Sequence, residues 1–537
     1  MSEYHLRTES IKPAELLELS VINSNDKKIM SALKSLEPCI IEGSRGTGKS
    51  FLMRMAELEL EQSETKLITV FVTFNISSLV DTNDPLQFYH WMLAKTLKLL
   101  LNKLRKKGLT VSDYAASLLS NDNTDSQETV EETLRQIVKK YEISYKEKAK
   151  IDISSLPDIE DVKDAIETLC EIHSLERVYF FFDEAAHVFR PEQQRQFFNF
   201  YKDLRSPYIT CNAAIYPGVT YFGDSFEPTH DCTLMKLERN MKDSDYLSYF
   251  YEIVDKQADT KTKEAINGNI ELFNTLALSC GGTPRMLLKT LQDIDKYNKS
   301  NIDKVLKTFY RAQVWAEHSE LGDKFKGHKP LIDWGRDFLE NNVIPAIESY
   351  NGHNQDDDKS KSTINFWIQK DAPEAVKESL RLLSYTGIIR KIDSTIRATR
   401  GKLGARYEVK YGCILSLDKH PASASKDFFN SLQMKNCPEF GNNHSSYDGI
   451  KDLQSVIQDD KQYQNSLKEI LKKSIHVLPL LTDWQKSKLK EANILTIGQL
   501  LEAEEKYLID NIYYIGPYKA RYMKNAADAE LLEYLSG

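Results

Sequence analysis

The chain has 537 residues, a length that suggests about three or four domains. Its 71 Lys and Arg against 79 Asp and Glu leave a net charge of −8, which excludes a wholly basic nucleic-acid coat but not a local basic surface. Hydrophobic content of 41% and charged content of 28% exclude a disordered chain, and the length excludes a small disulfide-stapled scaffold.

The first twenty residues lack a basic region followed by an apolar run and cleavage site, so no secretory signal is expected there. No stretch approaches the 18 or so apolar residues of a membrane span, and no membrane association is expected. The seven cysteines (Cys39, Cys170, Cys211, Cys232, Cys280, Cys413, Cys437) form no CxxC pair. Reduced thiols in a cytoplasmic protein are expected, and structural zinc is disfavoured.

Residues 1–320 alternate strand-like and helical patterns. Strands are expected at 39–42, 67–75, 177–182, 207–216 and 233–237, with helices at 26–36, 50–62, 85–107 and 191–204 between them. Such alternation implies a mostly parallel sheet covered on both faces. Residues 108–160 interrupt it as an insertion, with a polar helix expected to present a solvated face. At 328–420, helical patterns, a Gly-containing turn and two strands around Gly401 and Gly404 suggest a winged helix. Residues 421–450, rich in Ser, Asn, Gly and Pro, read as a linker, and residues 451–537 as helical.

Within this frame, Gly43-Ser44-Arg45-Gly46-Thr47-Gly48-Lys49-Ser50 fits GxxxxGK[ST] at every fixed position. The glycines let backbone N–H groups turn toward phosphates, Lys49 would neutralise the β- and γ-phosphates, and Ser50 would offer a hydroxyl to Mg²⁺. A strand before the loop and an amphipathic helix after it are the context this chemistry needs. The run Val178-Tyr179-Phe180-Phe181-Phe182-Asp183-Glu184 delivers two acids at the end of a buried strand. Asp183 would hold Mg²⁺ and Glu184 would polarise an attacking water. Many strands end in acids; about 130 residues after a phosphate loop, the pair acquires a role. ATP and Mg²⁺ are the expected ligands. His187 is read as a structural histidine.

The phosphate loop, the Asp183-Glu184 pair and Gly281-Gly282-Thr283-Pro284-Arg285 together resemble a AAA+ ATPase, and among these the origin-recognition and replication-initiator clade. The resemblance spans about the first 420 residues. It implies an α/β P-loop NTPase core (1–240) and a helical lid (241–325), then a winged helix (328–420); a small all-α helix-hairpin-helix domain (451–537) is expected on a separate resemblance of the last segment. It also implies that Arg285, opening a lid helix, touches the γ-phosphate; with Lys49 and Glu184 it completes the expected catalytic set. For the polar sensor beside the Asp183 strand, Asn212 has the expected chemistry but lies mid-strand, whereas Tyr216 has the better position. Arg205 and Arg239 are both possible arginine fingers, and neither is selected.

Residues 388–410 carry Arg390, Lys391, Arg397, Arg400, Lys402, Arg406 and Lys410 against Asp393 and Glu408, a net +5 on an acidic chain. A wing could lay them along the phosphates of double-stranded DNA; a hairpin packed on the ATPase is the plainer reading. The last segment resembles a tandem helix-hairpin-helix module such as the C-terminal domain of RNA polymerase alpha subunits. Connections are expected at 493–498 and 515–521, with Lys519, Arg521 and Lys524 near the second. Nucleic-acid binding and protein docking both suit it. The expected function is an ATP-hydrolysing, DNA-associating switch. The alternatives are a signalling or anti-phage defence ATPase that activates a separate effector chain, and a regulator of transposition or helicase loading. A homo-oligomer or an effector is the expected protein partner.

Overall fold

The computed structural model describes residues 4–6, 8, 11–63, 65–74, 82, 84–120, 127–144, 151–185, 191–217, 220, 222–223, 225–324, 328–355, 362–398, 401–433, 436–451, 471–478 and 480–536. They fall into two compact units, Met1–Asn301 and Ile302–Gly537.

The first unit is built on strands β1 (Cys39–Glu42), β2 (Leu67–Thr73), β3 (Arg177–Asp183), β4 (Ile209–Ile215) and β5 (Thr233–Lys236), ordered β2-β3-β4-β1-β5. Every pairing is parallel, with Phe181 opposite Asn212 and Cys39 opposite both Asn212 and Thr233. The near-continuous apolar runs of β1, β3 and β4 follow from burial on both faces. The pleat sorts their side chains. Ile40, Phe180 and Phe182 enter one core with Phe74, Trp91, Phe197 and Phe200. Ile41, Tyr179 and Phe181 enter a second core, with Leu33 from helix Ser24–Leu33 and Leu52, Met53 and Met55 from helix Lys49–Glu61. The expected covered parallel sheet is thus present.

The insertion is more than a solvated face. Its helices Asp113–Ser120 and Gln127–Ile143 pack on helices Ile159–His173 and Gln87–Lys106. Val130, Leu134 and Val138 are buried, and the fully buried Tyr141 donates its hydroxyl to Asp84 Oδ2 at 2.8 Å. After β5, helices Tyr246–Asp255, Thr260–Gly268, Ile270–Ser279 and Pro284–Gln292 close the unit. Residues from Ile302 onward belong to the second unit.

The second unit contains a four-stranded mixed sheet, β7-β8-β6-β9, from β6 (Asn365–Gln369), β7 (Ile389–Arg397), β8 (Leu403–Val409) and β9 (Glu439–Phe440). Helix Glu374–Thr386 lies between β6 and β7, ends on Gly387 at φ 76°, and packs on helix Lys329–Phe338. Strand β8 stops at Val409, and a short helix, Tyr411–Leu415, follows. All five of its residues are buried, and Gly412 admits the Tyr310 ring, which a Cβ there would meet at 2.4 Å. Residues 421–450 hold helix Pro421–Ser431, strand β9 and an aromatic cluster of Phe440 and Tyr447 with Trp334 and Phe338.

C-terminal helices Asp483–Glu491, Ile497–Glu502, Glu505–Asn511 and Pro517–Ser536 follow. Two of their connections place a left-handed residue (Asn493 at φ 59°, Tyr514 at φ 64°) before a buried isoleucine (Ile494, Ile515). No described helix is long and apolar enough to cross a membrane. The seven cysteines form no disulfide, and no cluster of three metal-ligating side chains occurs among the described residues.

Candidate functional site

The loop 43–48 turns between β1 and helix Lys49–Glu61 because its glycines occupy conformations closed to other residues. Gly46 and Gly48 sit at φ 83° and 104°. A Cβ on Gly43 would meet Thr47 Oγ1 at 2.8 Å, and one on Gly46 would meet the Arg285 Cβ at 3.0 Å. Gly48 caps the helix, so the loop's amides and the helix's positive end face one cleft.

Lys49 is buried at the start of that helix. Its Nζ donates to Gly43 O at 2.6 Å and Ser44 O at 3.2 Å, and lies 4.2 Å from the Tyr216 ring centroid. Burial pulls its pKa down to about 8, against the pull of the Asp183 and Glu184 carboxylates. Asp183, at the C-terminal end of β3, is also buried. Burial raises its pKa, while a hydrogen bond from Ser50 and the Lys49 charge favour the ionised form. Ser50 and Asp183 thus present a hydroxyl and a carboxylate side by side, an oxygen pair that fits Mg²⁺.

Glu184 follows in a left-handed conformation, φ 54°, with its amide donating to Asp183 Oδ1 at 3.0 Å. That turn separates the two acids: Asp183 faces Ser50, and Glu184 accepts a hydrogen bond from Tyr216 Oη at 3.2 Å. The alternatives left by the sensor strand are therefore distinguished. Asn212 is buried away from the cleft with its Nδ2 on Leu33 O at 2.9 Å, whereas Tyr216 lines the cleft between Lys49 and Glu184. Position outweighs side-chain type here.

Arg285 reaches the cleft beside Gly46 and donates from Nε to Leu6 O at 2.9 Å. Arg239 is buried behind the loop. It pairs with Asp26 at 2.9 Å, donates to Thr47 O at 2.8 Å and lies over the Tyr249 ring at 4.6 Å. So placed, it is unavailable to a neighbouring chain. Arg205 is half-exposed and pairs with Asp231. His187 lies outside the described residues.

The sequence reading missed the cleft's apolar wall. Leu6, Ile11, Leu19 and Val21 line it opposite Ile253 and Leu288, and His5 N donates to Gln257 Oε1 at 3.0 Å. The available signal was a recurring apolar residue ahead of the first strand, without a motif to mark it.

The basic hairpin is partly self-neutralised. Arg390 makes a bidentate pair with Glu408 at 2.9 and 3.0 Å, Arg406 pairs with Asp393, and Lys410 is buried. Lys391 is half-buried on β7. Arg397 and Lys402 are exposed near the hairpin tip, and Arg400 lies outside the described residues. In the C-terminal helices, Arg521 pairs with Glu505 at 3.3 Å and Lys524 donates to Leu501 O and Ala503 O, whereas Lys519 is exposed.

No protein-family model matches the chain, and no curated protein does. Among solved structures, the Orc1 protein of Aeropyrum pernix in complex with DNA is similar at 12% identity and a TM-score of 0.30, over 77% of this chain and 94% of that one. Cdc6p from Pyrobaculum aerophilum is similar at 10% identity and a TM-score of 0.27, over 80% of this chain and 96% of that one. Likenesses this distant carry no functional weight, and the chemistry rests on this chain's own residues.

Proposed function

We propose that the first unit binds and hydrolyses ATP and that the protein works as a nucleotide-dependent switch that associates with DNA. The observation that carries this reading is the convergence of Lys49, Ser50, Asp183, Glu184, Tyr216 and Arg285 on one cleft from four separate parts of the sequence. The sheet order β2-β3-β4-β1-β5 supports it, being typical of AAA+ P-loop ATPases.

The loop amides and Lys49 would bind the triphosphate, with Lys49 exchanging its carbonyl partners for phosphate oxygens. Ser50 and Asp183 would hold Mg²⁺, which would supply charge neutralisation at the phosphates. Glu184, held by Tyr216, would orient and deprotonate the attacking water. Arg285 would approach the terminal phosphate from the lid. The wall of Leu6, Ile11, Leu19 and Val21 would take the base.

Arg397 and Lys402 on the hairpin, with Lys519 in the C-terminal helices, are the cations best exposed for DNA phosphates. A second reading, a signalling or defence ATPase that activates a separate effector, gains from the carboxylates that occupy Arg390 and Arg406. Under it, the winged region would serve protein contacts. The deciding experiment is the ATPase rate of the purified chain with and without duplex DNA, beside Glu184→Gln. Stimulation by DNA that the variant loses supports the DNA switch. A rate indifferent to DNA favours the signalling reading, and no hydrolysis above the variant's level refutes both.

A further inference from the structure

We propose that the C-terminal helices carry an aromatic ridge that stacks the unpaired bases of single-stranded nucleic acid. The proposal rests on the DNA-associating reading above and names a mode of contact for it.

Tyr513, Tyr514 and Tyr518 are 73%, 69% and 82% exposed, and Trp484 is 41% exposed. They form one surface. The Tyr513 and Tyr514 rings lie 4.3 Å apart at 71°. Lys519 Nζ donates to Tyr514 O at 3.2 Å and lies 4.7 Å from the Trp484 ring centroid. A single cation therefore links the loop that bears two of the tyrosines to the tryptophan of another helix. Each exposed ring forfeits the free energy of leaving water, about 25 cal/mol per Å² of apolar surface.

The backbone adds a contrast. Asn493 and Tyr514 occupy the same place in their two connections, both left-handed and both followed by a buried isoleucine. Asparagine tolerates that conformation, and tyrosine adopts it at a cost on the order of 1 kcal/mol. Nothing in the local fold calls for a tyrosine there, since its ring projects into solvent.

The charges around α-helical neighbours are sorted. Arg521 and Lys524 turn toward residues 501–505, where Glu502, Glu504 and Glu505 lie. Helix Asp483–Glu491, which bears Trp484, also carries Lys486, Lys488 and Lys490; Lys488 lies one turn beyond Trp484 and pairs with Glu491 at 2.5 Å. Exposed Lys472 and Lys473 precede the segment whose His476 carbonyl accepts from Lys486 at 3.1 Å. Aromatic faces with Lys519 between them, and further lysines on the neighbouring helix, match the alternation of base and phosphate along a single strand. A duplex covers its base faces with neighbouring pairs, so such rings would find no stacking partner there.

The test is fluorescence anisotropy of the full chain with labelled oligothymidylate, oligouridylate and a duplex of equal length. The wild type should bind a single strand more tightly than the duplex, and the two oligomers report whether DNA or RNA is preferred. The combined variant Tyr513→Ser, Tyr514→Asn, Tyr518→Ser should weaken single-strand binding at least about tenfold, since stacking contributes roughly 1–3 kcal/mol per base. Its duplex binding should stay within about twofold, and Lys519→Gln should lower the single-strand salt slope by about 0.7. In the wild type, a single strand should quench an emission component that Trp484→Phe removes, a readout that does not depend on the tyrosine variant folding. Duplex binding without single-strand preference, or an undiminished tyrosine variant, overturns the ridge while leaving the DNA switch intact. A wild type that binds neither form ends both.

Discussion

Tyr216 places its hydroxyl 3.2 Å from Glu184 Oε1 and its ring centroid 4.2 Å from Lys49 Nζ, so one side chain touches both the acid proposed to activate water and the cation proposed to bind phosphate. Phenylalanine keeps the ring and removes the bond. Tyr216→Phe should lower kcat about tenfold while KM changes less than about twofold, a fraction of the loss expected for Glu184→Gln, about 10²- to 10⁴-fold. Steady-state ATPase kinetics separate the two. An equal rise in KM would assign Tyr216 to nucleotide binding instead.

Lys49 has a pKa lowered to about 8 by burial. Above that pH its ammonium is lost in the free protein, and a bound triphosphate would restore it. ATP affinity should therefore fall as pH rises from about 8 toward the ordinary lysine value, with net proton uptake on binding. Calorimetry in buffers of different ionisation enthalpy measures that uptake. The stability of the free protein moves the other way over this range: the unfolded chain holds the proton more tightly, so stability rises with pH.

Asp26 and Arg239 form an ion pair whose side chains are 0% and 4% exposed. Asp26→Ala strands a buried guanidinium that also supports the phosphate loop at Thr47 O. The cost should be about 3–5 kcal/mol, and the double change Asp26→Leu with Arg239→Met should recover part of it. Urea unfolding of the wild type and the two variants checks both statements.

Hairpin arginines should divide by their partners. Arg397→Ala with Lys402→Ala should reduce the salt slope of DNA binding by roughly 0.9 per lost phosphate contact, with stability unchanged within about 0.5 kcal/mol. Arg390→Ala leaves the buried Glu408 without its bidentate partner and should destabilise by about 1–3 kcal/mol. Thermal unfolding and a salt titration of each variant distinguish these outcomes.

The parallel sheet and the acids at its edge were legible because their signals are local. Phe180 to Glu184 reads as a buried strand ending in chemistry, and Gly43 to Ser50 as a loop followed by a helix. What escaped depends on distant partners. The charge of Arg390 says nothing of Glu408 across the hairpin, nor does the alternating run after Arg406 reveal that Gly412 will meet Tyr310. Residues 421–450 read as a linker because Ser, Asn, Gly and Pro dominate them, and nothing local shows that Phe440 and Tyr447 will pack on Phe338. Tyr216 was placed by its position in the strand, whereas propensity for a polar side chain favoured Asn212.

The bond from Arg285 Nε to Leu6 O joins residues 279 positions apart. If Arg285 swings toward a terminal phosphate, that bond must break. The lid arginine is thus a tether on the leading segment, and a loaded cleft and a slackened leader become one event seen from two ends. Deuterium uptake at residues 4–6, far upstream of every phosphate motif, would then report the turnover of the cleft in real time.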